Sequence, residues 1–326
     1  MKDTIAFCGS ILTDQIKMIP RWPDKGMLVP VTSVKRAVGG AVCNSGIDLK
    51  TLDPAVTVKA IGKVGTDDNG AFAVEFLESK GLDCSLVERT DARPTSFTDV
   101  MTVETTGERT FFNLHGADST LVPDDVDVAK LGCDIFHFGY LLLLDGMDAA
   151  DDEYGTKAAR LLAKVQAAGI RTSVDIVSEQ SDRFARIVRP ALKYCDYCII
   201  NEIEGSMATG CKADDLKGIC EGLFGLGVKE RVVVHCPDVG VTMGKDGGFT
   251  RVGSLKLPSG WIKGSVGAGD AFCAGALYAL LKGFDPETLL RLGSCAAAMN
   301  LSVPDSVSGA RSFAETMALD TRFERK

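Results

Sequence analysis

The sequence predicts an α/β fold: a doubly wound, mainly parallel sheet carrying a small β-sheet lid. Three observations lead there. Short apolar segments alternate with helical segments along most of the 326 residues. The apolar segments are runs of Val, Ile and Phe rather than strict alternators, the pattern of strands covered on both faces. Two stretches, at about 11–37 and 92–114, interrupt the alternation without a helical pattern, and strand-rich insertions of this kind suit a lid over a ligand site.

In chain order, strands are expected at 5–8, 57–61, 135–138, 172–176, 197–200 and 232–235. Helices are expected between them at 43–52, 71–80, 154–168, 184–193 and 213–226. The second insertion reads as a hairpin, 96–104 and 109–113, around a turn containing Gly107. Residues 271–283 are Ala- and Leu-rich, lack proline and stop at Gly283, as a helix does. The whole chain, 1–326, is read as one domain, with no internal repeat and no low-complexity linker. Ligands of such sheets sit at the carboxyl ends of the strands.

Composition narrows the function. Hydrophobic residues make up 45% and charged residues 25%, and the net charge is −8 with no long basic run. This excludes nucleic acid and membrane surfaces as the main partner. Leu141–Leu144 is too short for a membrane span and ends at Asp145. The start, Met1 to Gly9, reads as a strand rather than a signal peptide, so a cytoplasmic protein with reduced thiols is expected. The eleven cysteines are scattered through apolar segments as small hydrophobes. Cys195 and Cys198 have C-x-x-C spacing, but no second pair follows, and they are read as structural.

The most informative stretch is Gly264-Ser265-Val266-Gly267-Ala268-Gly269-Asp270. Small residues at 267–269 let N–H groups line a concavity at a helix N-terminus, which favours an anion. Asp270 is read as the acidic residue at the first position of that helix. A carboxylate beside a bound phosphate needs a chemical reason, and taking a proton from an attacking hydroxyl supplies one. The plain alternative is a glycine turn with an acidic helix cap.

Other polar residues fall at strand and helix ends. Gly39 and Gly40 would let a ligand approach the backbone, and Asn44 offers a donor and an acceptor to sugar hydroxyls. Asp14 either accepts from two hydroxyls or serves a turn. Asn201 and Glu204 follow a strand directly; they either reach magnesium through water or cap a helix.

These motifs, in this order, resemble the ribokinase (PfkB) family of ATP-dependent carbohydrate kinases. The matching features are Gly39-Gly40 with Asn44, the segment Ile61-Gly62-Lys63-Val64-Gly65-Thr66-Asp67-Asp68-Asn69-Gly70 resembling the family's G-x-D-x-x-G, the N-x-x-E pair Asn201 and Glu204, the strand 232–235 leading to Gly240, and Gly267-Ala268-Gly269-Asp270. The resemblance implies a ribokinase-like fold and ATP with Mg²⁺. It implies that Asp270 is the catalytic base and that the N–H groups of Ala268, Gly269 and Asp270 hold the transferred phosphoryl group. Asp14, Gly39, Gly40 and Asn44 would bind the sugar. Asn201, Glu204 and Gly240 would serve phosphates and magnesium, with Glu204 acting through water. The segment 295–300, with Asn300, and the turn at Gly309-Ala310 would line the adenine side.

Three departures qualify what is implied. Gly264-Ser265 stands where the family usually has Asp-Thr, a contributor to a monovalent-cation site, so weak or absent potassium activation is expected. Pro237 replaces a usual glycine and has no N–H to give. Ala41 stands where ribokinase-type members often carry Lys, and together with His115-Gly116-Ala117-Asp118 this leans toward fructokinase-like members. The expected activity is phosphoryl transfer from ATP to a hydroxymethyl oxygen of a small, fructose-like sugar. A nucleoside kinase of the same family, using Phe97, Phe111 and Phe112 for stacking, and a non-catalytic binding homologue are the alternatives. The lid's edge strands should not stay bare in water, and a homodimer through the lid is expected.

Overall fold

The computed structural model describes residues 3–179 and 181–326, so the first two residues of the Met1–Gly9 pattern lie outside the described residues. Nine strands form the main sheet. From one edge they run Phe249–Gly253, Val239–Gly244, Arg231–His235, Tyr197–Asn201, Arg171–Ile176, Ile135–Leu141, Thr4–Gly9, Thr57–Gly65 and Asp83–Thr90. The seven from Arg231–His235 onward are parallel, and the first two are antiparallel to their neighbours.

The predicted strands are all present, because their apolar runs can be buried on both faces. Helices Lys157–Ala167, Phe184–Leu192 and Leu216–Leu226 pack one core against Ala6, Cys8, Phe136 and Phe138. Helices Ala41–Leu52, Asp68–Ser79, Ala268–Lys282 and Pro286–Leu301 pack the other against Ile5, Phe7, Val58 and Val233. Alternate residues of one strand thus serve opposite cores.

Three strands of the main sheet escaped the sequence reading for physical reasons. Asp83–Thr90 is an edge strand with a polar, half-exposed sequence and so shows no apolar run. Val239–Gly244 and Phe249–Gly253 begin or end in glycine and return as a hairpin rather than through a helix. Helix boundaries follow caps: Asp215 accepts from Gly218 N and starts its helix at Leu216, three residues after the expected start.

The two insertions join in one four-stranded sheet, ordered Ser33–Gly39, Leu12–Ile19, Phe97–Val103, Arg109–Leu114. Leu12–Ile19 and Phe97–Val103 pair in parallel from Thr13–Phe97 to Ile19–Val103. Asp67 fastens this lid to the body: it caps the helix Asp68–Ser79 through Gly70 N and accepts from both Thr95 N (2.9 Å) and Thr95 Oγ1 (2.6 Å). No helix among the described residues is long and apolar enough to cross a membrane.

Candidate active site

Five adjacent strands bring Ser10, Tyr140, Asp175, Asn201 and His235 to their carboxyl ends at one edge of the sheet. The helix Ala268–Lys282 points its N-terminus at them. That helix begins at Ala268, so Asp270 is its third residue rather than its first; Gly267, with φ +80°, forms the cap and lets the helix start earlier. A side chain at Gly267 would meet Ser306 O at 2.7 Å.

Asp270 is held from both oxygens. The Tyr140 hydroxyl donates to Oδ1 at 2.5 Å and Asn44 Nδ2 donates to Oδ2 at 3.0 Å. Ser45 Oγ donates to the Asp270 carbonyl at 3.2 Å. Burial raises the Asp270 carboxyl above its ordinary range, against the lowering effect of these hydrogen bonds. The N–H of Ala268 donates to Ser265 O at 3.3 Å, which leaves those of Gly269 and Asp270 as the open donors of the first turn.

Asp14, Gly39, Gly40 and Asn44, expected from the sequence to bind sugar, lie on the lid and on the turn and helix that follow it. Asp14 lies on Leu12–Ile19, opposite Ala37 and Thr98. Burial pushes its carboxyl up to about 6, while a Thr98 hydrogen bond and the Arg109 charge pull it down. A Cβ at Gly39 would stand 2.8 Å from Leu12 Cδ1 and 2.9 Å from Asp14 Oδ2, so a side chain there would make both side-chain ends shift. Gly40, with φ +91°, starts the helix that carries Asn44. Asn44 Oδ1 is buried and has no protein partner, an acceptor left for a ligand hydroxyl.

Asn201 and Glu204 form a capping box: Asn201 Oδ1 accepts from Ile203 N and Glu204 N, and Glu204 Oε2 accepts from Asn201 N. Glu204 Oε1 accepts from Ser178 Oγ at 2.6 Å and Asn201 Nδ2 at 2.8 Å. Asp175, which sequence reasoning missed, lies nearby. Burial, then the charges of Glu204 and Asp270, push its carboxyl far above the usual range. Neither Glu204 nor Asp175 has a Lys or Arg partner among the described residues, and nor does Asp270. Such a set fits a divalent cation, which takes carboxylate and water oxygens.

Behind the helix N-terminus opens a cleft of about 750 Å³. Pro237, Leu255, Leu257, Ile262, Ala297 and Leu301 give it apolar walls, and Asn201, His235 and Gly269 lie at its inner end. Burial holds His235 down to about 4, so its ring is neutral beside the helix N-terminus. Three of the residues singled out from sequence stand behind this wall. Gly240 is buried within its strand, where a side chain would press on Leu290 and Phe272. Asn300 is buried and donates to Ser306 O at 2.6 Å, supporting the loop under Gly267. Gly309 is buried against Met299 O and Asn300 Cα.

A lidded α/β body with an acid at an open helix N-terminus, beside a cleft of this size, suits a phosphotransferase of the sugar-kinase class. The chain belongs to the pfkB family of carbohydrate kinases, whose sequence profile matches residues 2–311. An ATP-dependent ribose-1-phosphate kinase from Halopiger xanaduensis is 25% identical over 321 residues, covering 97% of this chain and 98% of that protein. A 5-dehydro-2-deoxygluconokinase from Shouchella clausii is 23% identical over 295 residues, 88% of this chain and 87% of that protein. In structure, Arabidopsis thaliana ribokinase complexed with ribose and ATP matches with a TM-score of 0.80 at 20% identity, covering 98% of this chain and 99% of that one.

Proposed function

We propose that this carbohydrate kinase transfers the γ-phosphoryl group of ATP to a hydroxymethyl oxygen of a small polyhydroxylated sugar with a fructose-like ketose skeleton, or of a keto-sugar acid built on it. The observation that carries the reading is Asp270, oriented from both oxygens by Tyr140 and Asn44 at a helix N-terminus with two open N–H groups. The sugar-acid extension is supported by the 5-dehydro-2-deoxygluconokinase likeness and by Arg109, whose charge acts on Asp14 at the sugar side.

In this reading Asp14 and Asn44 hold the sugar hydroxyls and set the reacting oxygen against Asp270. Asp270 takes the hydroxyl proton as that oxygen bonds to the γ-phosphorus and the β–γ bridging bond breaks, releasing ADP. The N–H groups of Gly269 and Asp270 hold the charge on the phosphoryl oxygens. Asp175, Glu204 and Asn201 would hold magnesium, which when bound neutralises phosphate charge. The apolar walls at Leu255, Leu257 and Ala297 suit an adenine ring. With glycine at 264, potassium activation is weak or absent.

The lid carries exposed apolar side chains, among them Trp22, Leu28, Val34, Phe111, Phe112 and Leu114. Trp22 and Phe112 stack with ring centroids 6.4 Å apart. A second copy of the chain covers this face in a homodimer.

The test is magnesium- and ATP-dependent ADP release against ketoses, aldoses, sugar acids and nucleosides, with and without potassium. Turnover is expected on ketoses or keto-sugar acids. Turnover confined to nucleosides, or none on any class while ATP still binds, overturns the reading.

A further inference from the structure

Next to Asp270 lies a cluster of which phosphoryl transfer, as proposed above, uses only Asp175, and the effect on activity argued below rests on that reading. His137, Asp175 and Cys273 each offer one ligand atom, and all three atoms lie within 4.8 Å of one another. Two neighbouring parallel strands and the helix of Asp270 supply them. Cys273 stands one helical turn beyond Asp270, with its Sγ 3.8 Å from His137 Nε2. On the other side of the ring, His137 Nδ1 faces Ser173 Oγ at 3.1 Å. That contact directs Nε2 toward the cluster, the arrangement by which a hydrogen-bonded outer partner orients a metal-ligating histidine.

We propose that His137, Asp175 and Cys273 form a binding site for a thiophilic divalent metal ion, zinc above all, and that its occupation switches the kinase off. The donor set is nitrogen, carboxylate oxygen and sulfur, which suits Zn²⁺ and not Mg²⁺. Tetrahedral zinc bonds of about 2.0–2.3 Å place neighbouring ligand atoms about 3.5 Å apart. The Cys273–His137 separation is already close to that, and small side-chain rotations bring in Asp175. Charge balances as well: a thiolate, a carboxylate and Zn²⁺ sum to zero, the arrangement a buried site tolerates. In the free protein the desolvated Cys273 thiol and Asp175 carboxyl favour their protonated forms and His137 is neutral, so binding releases the thiol and carboxyl protons to solvent. Three protein ligands leave the fourth position to water. Asp175 is the most exposed of the three, at 8% against 1% for Cys273 and 0% for His137, and it gives the ion its route inward.

The link to activity runs through Asp175. Zinc that takes this carboxylate removes it from the group facing Glu204 and Asp270, so inhibition lowers kcat and neither excess sugar nor excess ATP relieves it.

The experiment uses chelator-treated, full-length protein with Co²⁺ or Zn²⁺ as probe and magnesium in excess. One Co²⁺ per chain with a thiolate-to-cobalt absorption band is expected, together with at least about 10-fold inhibition by Zn²⁺ that a zinc-selective chelator reverses. Cys273→Ala should lose the band and the inhibition while keeping zinc-free activity, whereas Cys195→Ala should keep both. His137→Gln serves as the second variant, and zinc-free turnover shows that each is folded. Absence of the band in the parent protein, or its persistence with inhibition in Cys273→Ala, overturns the site.

Discussion

The Tyr140 hydroxyl donates to Asp270 Oδ1 across 2.5 Å, joining the end of a central strand to the first turn of the helix Ala268–Lys282. Asn44 grips the other oxygen, so the carboxylate cannot rotate without breaking one of two bonds. Asp270→Asn should lower kcat by about 10²–10⁴-fold, the range of a lost general base, while ATP binding measured by calorimetry stays near normal. Unchanged turnover would remove Asp270 from that role.

Tyr140→Phe tests the orientation separately. The hydroxyl lowers the Asp270 pKa against the raising effect of burial. Without it the pKa moves up, and the acid limb of the kcat profile should shift to higher pH with kcat reduced about 10-fold, as a misaligned base would give. A limb that stays in place, measured from pH 5 to 9, would show that Tyr140 does not tune the base.

Gly267→Ala strikes the anion loop without touching a functional side chain. Position 267 has φ +80°, where a non-glycine residue costs about 1–3 kcal/mol, and the new Cβ would stand 2.7 Å from Ser306 O. The loop must move and carry the Gly269 and Asp270 donors with it. A shift of about 1 Å costs up to about 10²-fold in rate, so kcat should fall at least about 10-fold and the melting temperature should drop. Parent-like values of both would show that the loop has slack.

The lid face gives an assembly test. Phe112 lies exposed on the edge strand Arg109–Leu114 and stacks on Trp22. Phe112→Glu puts a charge where a second copy would bury an aromatic ring. Light scattering at micromolar concentration should read a dimer for the parent and a monomer for the variant. A monomeric parent ends the proposal.

What was legible in the sequence divides along physical lines. Gly40 and Gly267 announce themselves as glycines at strand-to-helix turns, and the structure gives each a steric reason: a positive φ and a backbone oxygen where a Cβ would stand. Tyr140 and Asp175 do not: one reads as another apolar residue in Phe138-Gly139-Tyr140-Leu141, the other as a polar interruption in Val174-Asp175-Ile176. Their importance comes from strand order, which local pattern does not encode. Asn300 and Gly309 show the reverse. A signal was present in the 3.6-residue period of Pro286–Leu301, which turns Ser294, Ala297, Ala298 and Leu301 to the cleft and leaves Cys295 and Asn300 on the buried side. Gly240 falls in a buried strand, where its lack of a side chain makes room for Leu290 and Phe272.

Asp14 offers a pH test of the sugar site. Burial raises its carboxyl to about 6, so the charged form, the better acceptor for sugar hydroxyls, is present above that pH and is lost as pH falls through it. KM for the sugar should therefore rise below about pH 6, separately from the kcat profile that reports Asp270. A hydrogen bond to a charged group contributes about 1.5–3 kcal/mol, so Asp14→Asn should raise KM by about 10–100-fold and remove the rise at low pH. Arg109 supplies the sign control. Its charge lowers the Asp14 pKa, and Arg109→Met should move the break in KM to higher pH without abolishing it. A sugar KM that stays flat from pH 5 to 8 in the parent protein would place Asp14 outside the sugar's contacts.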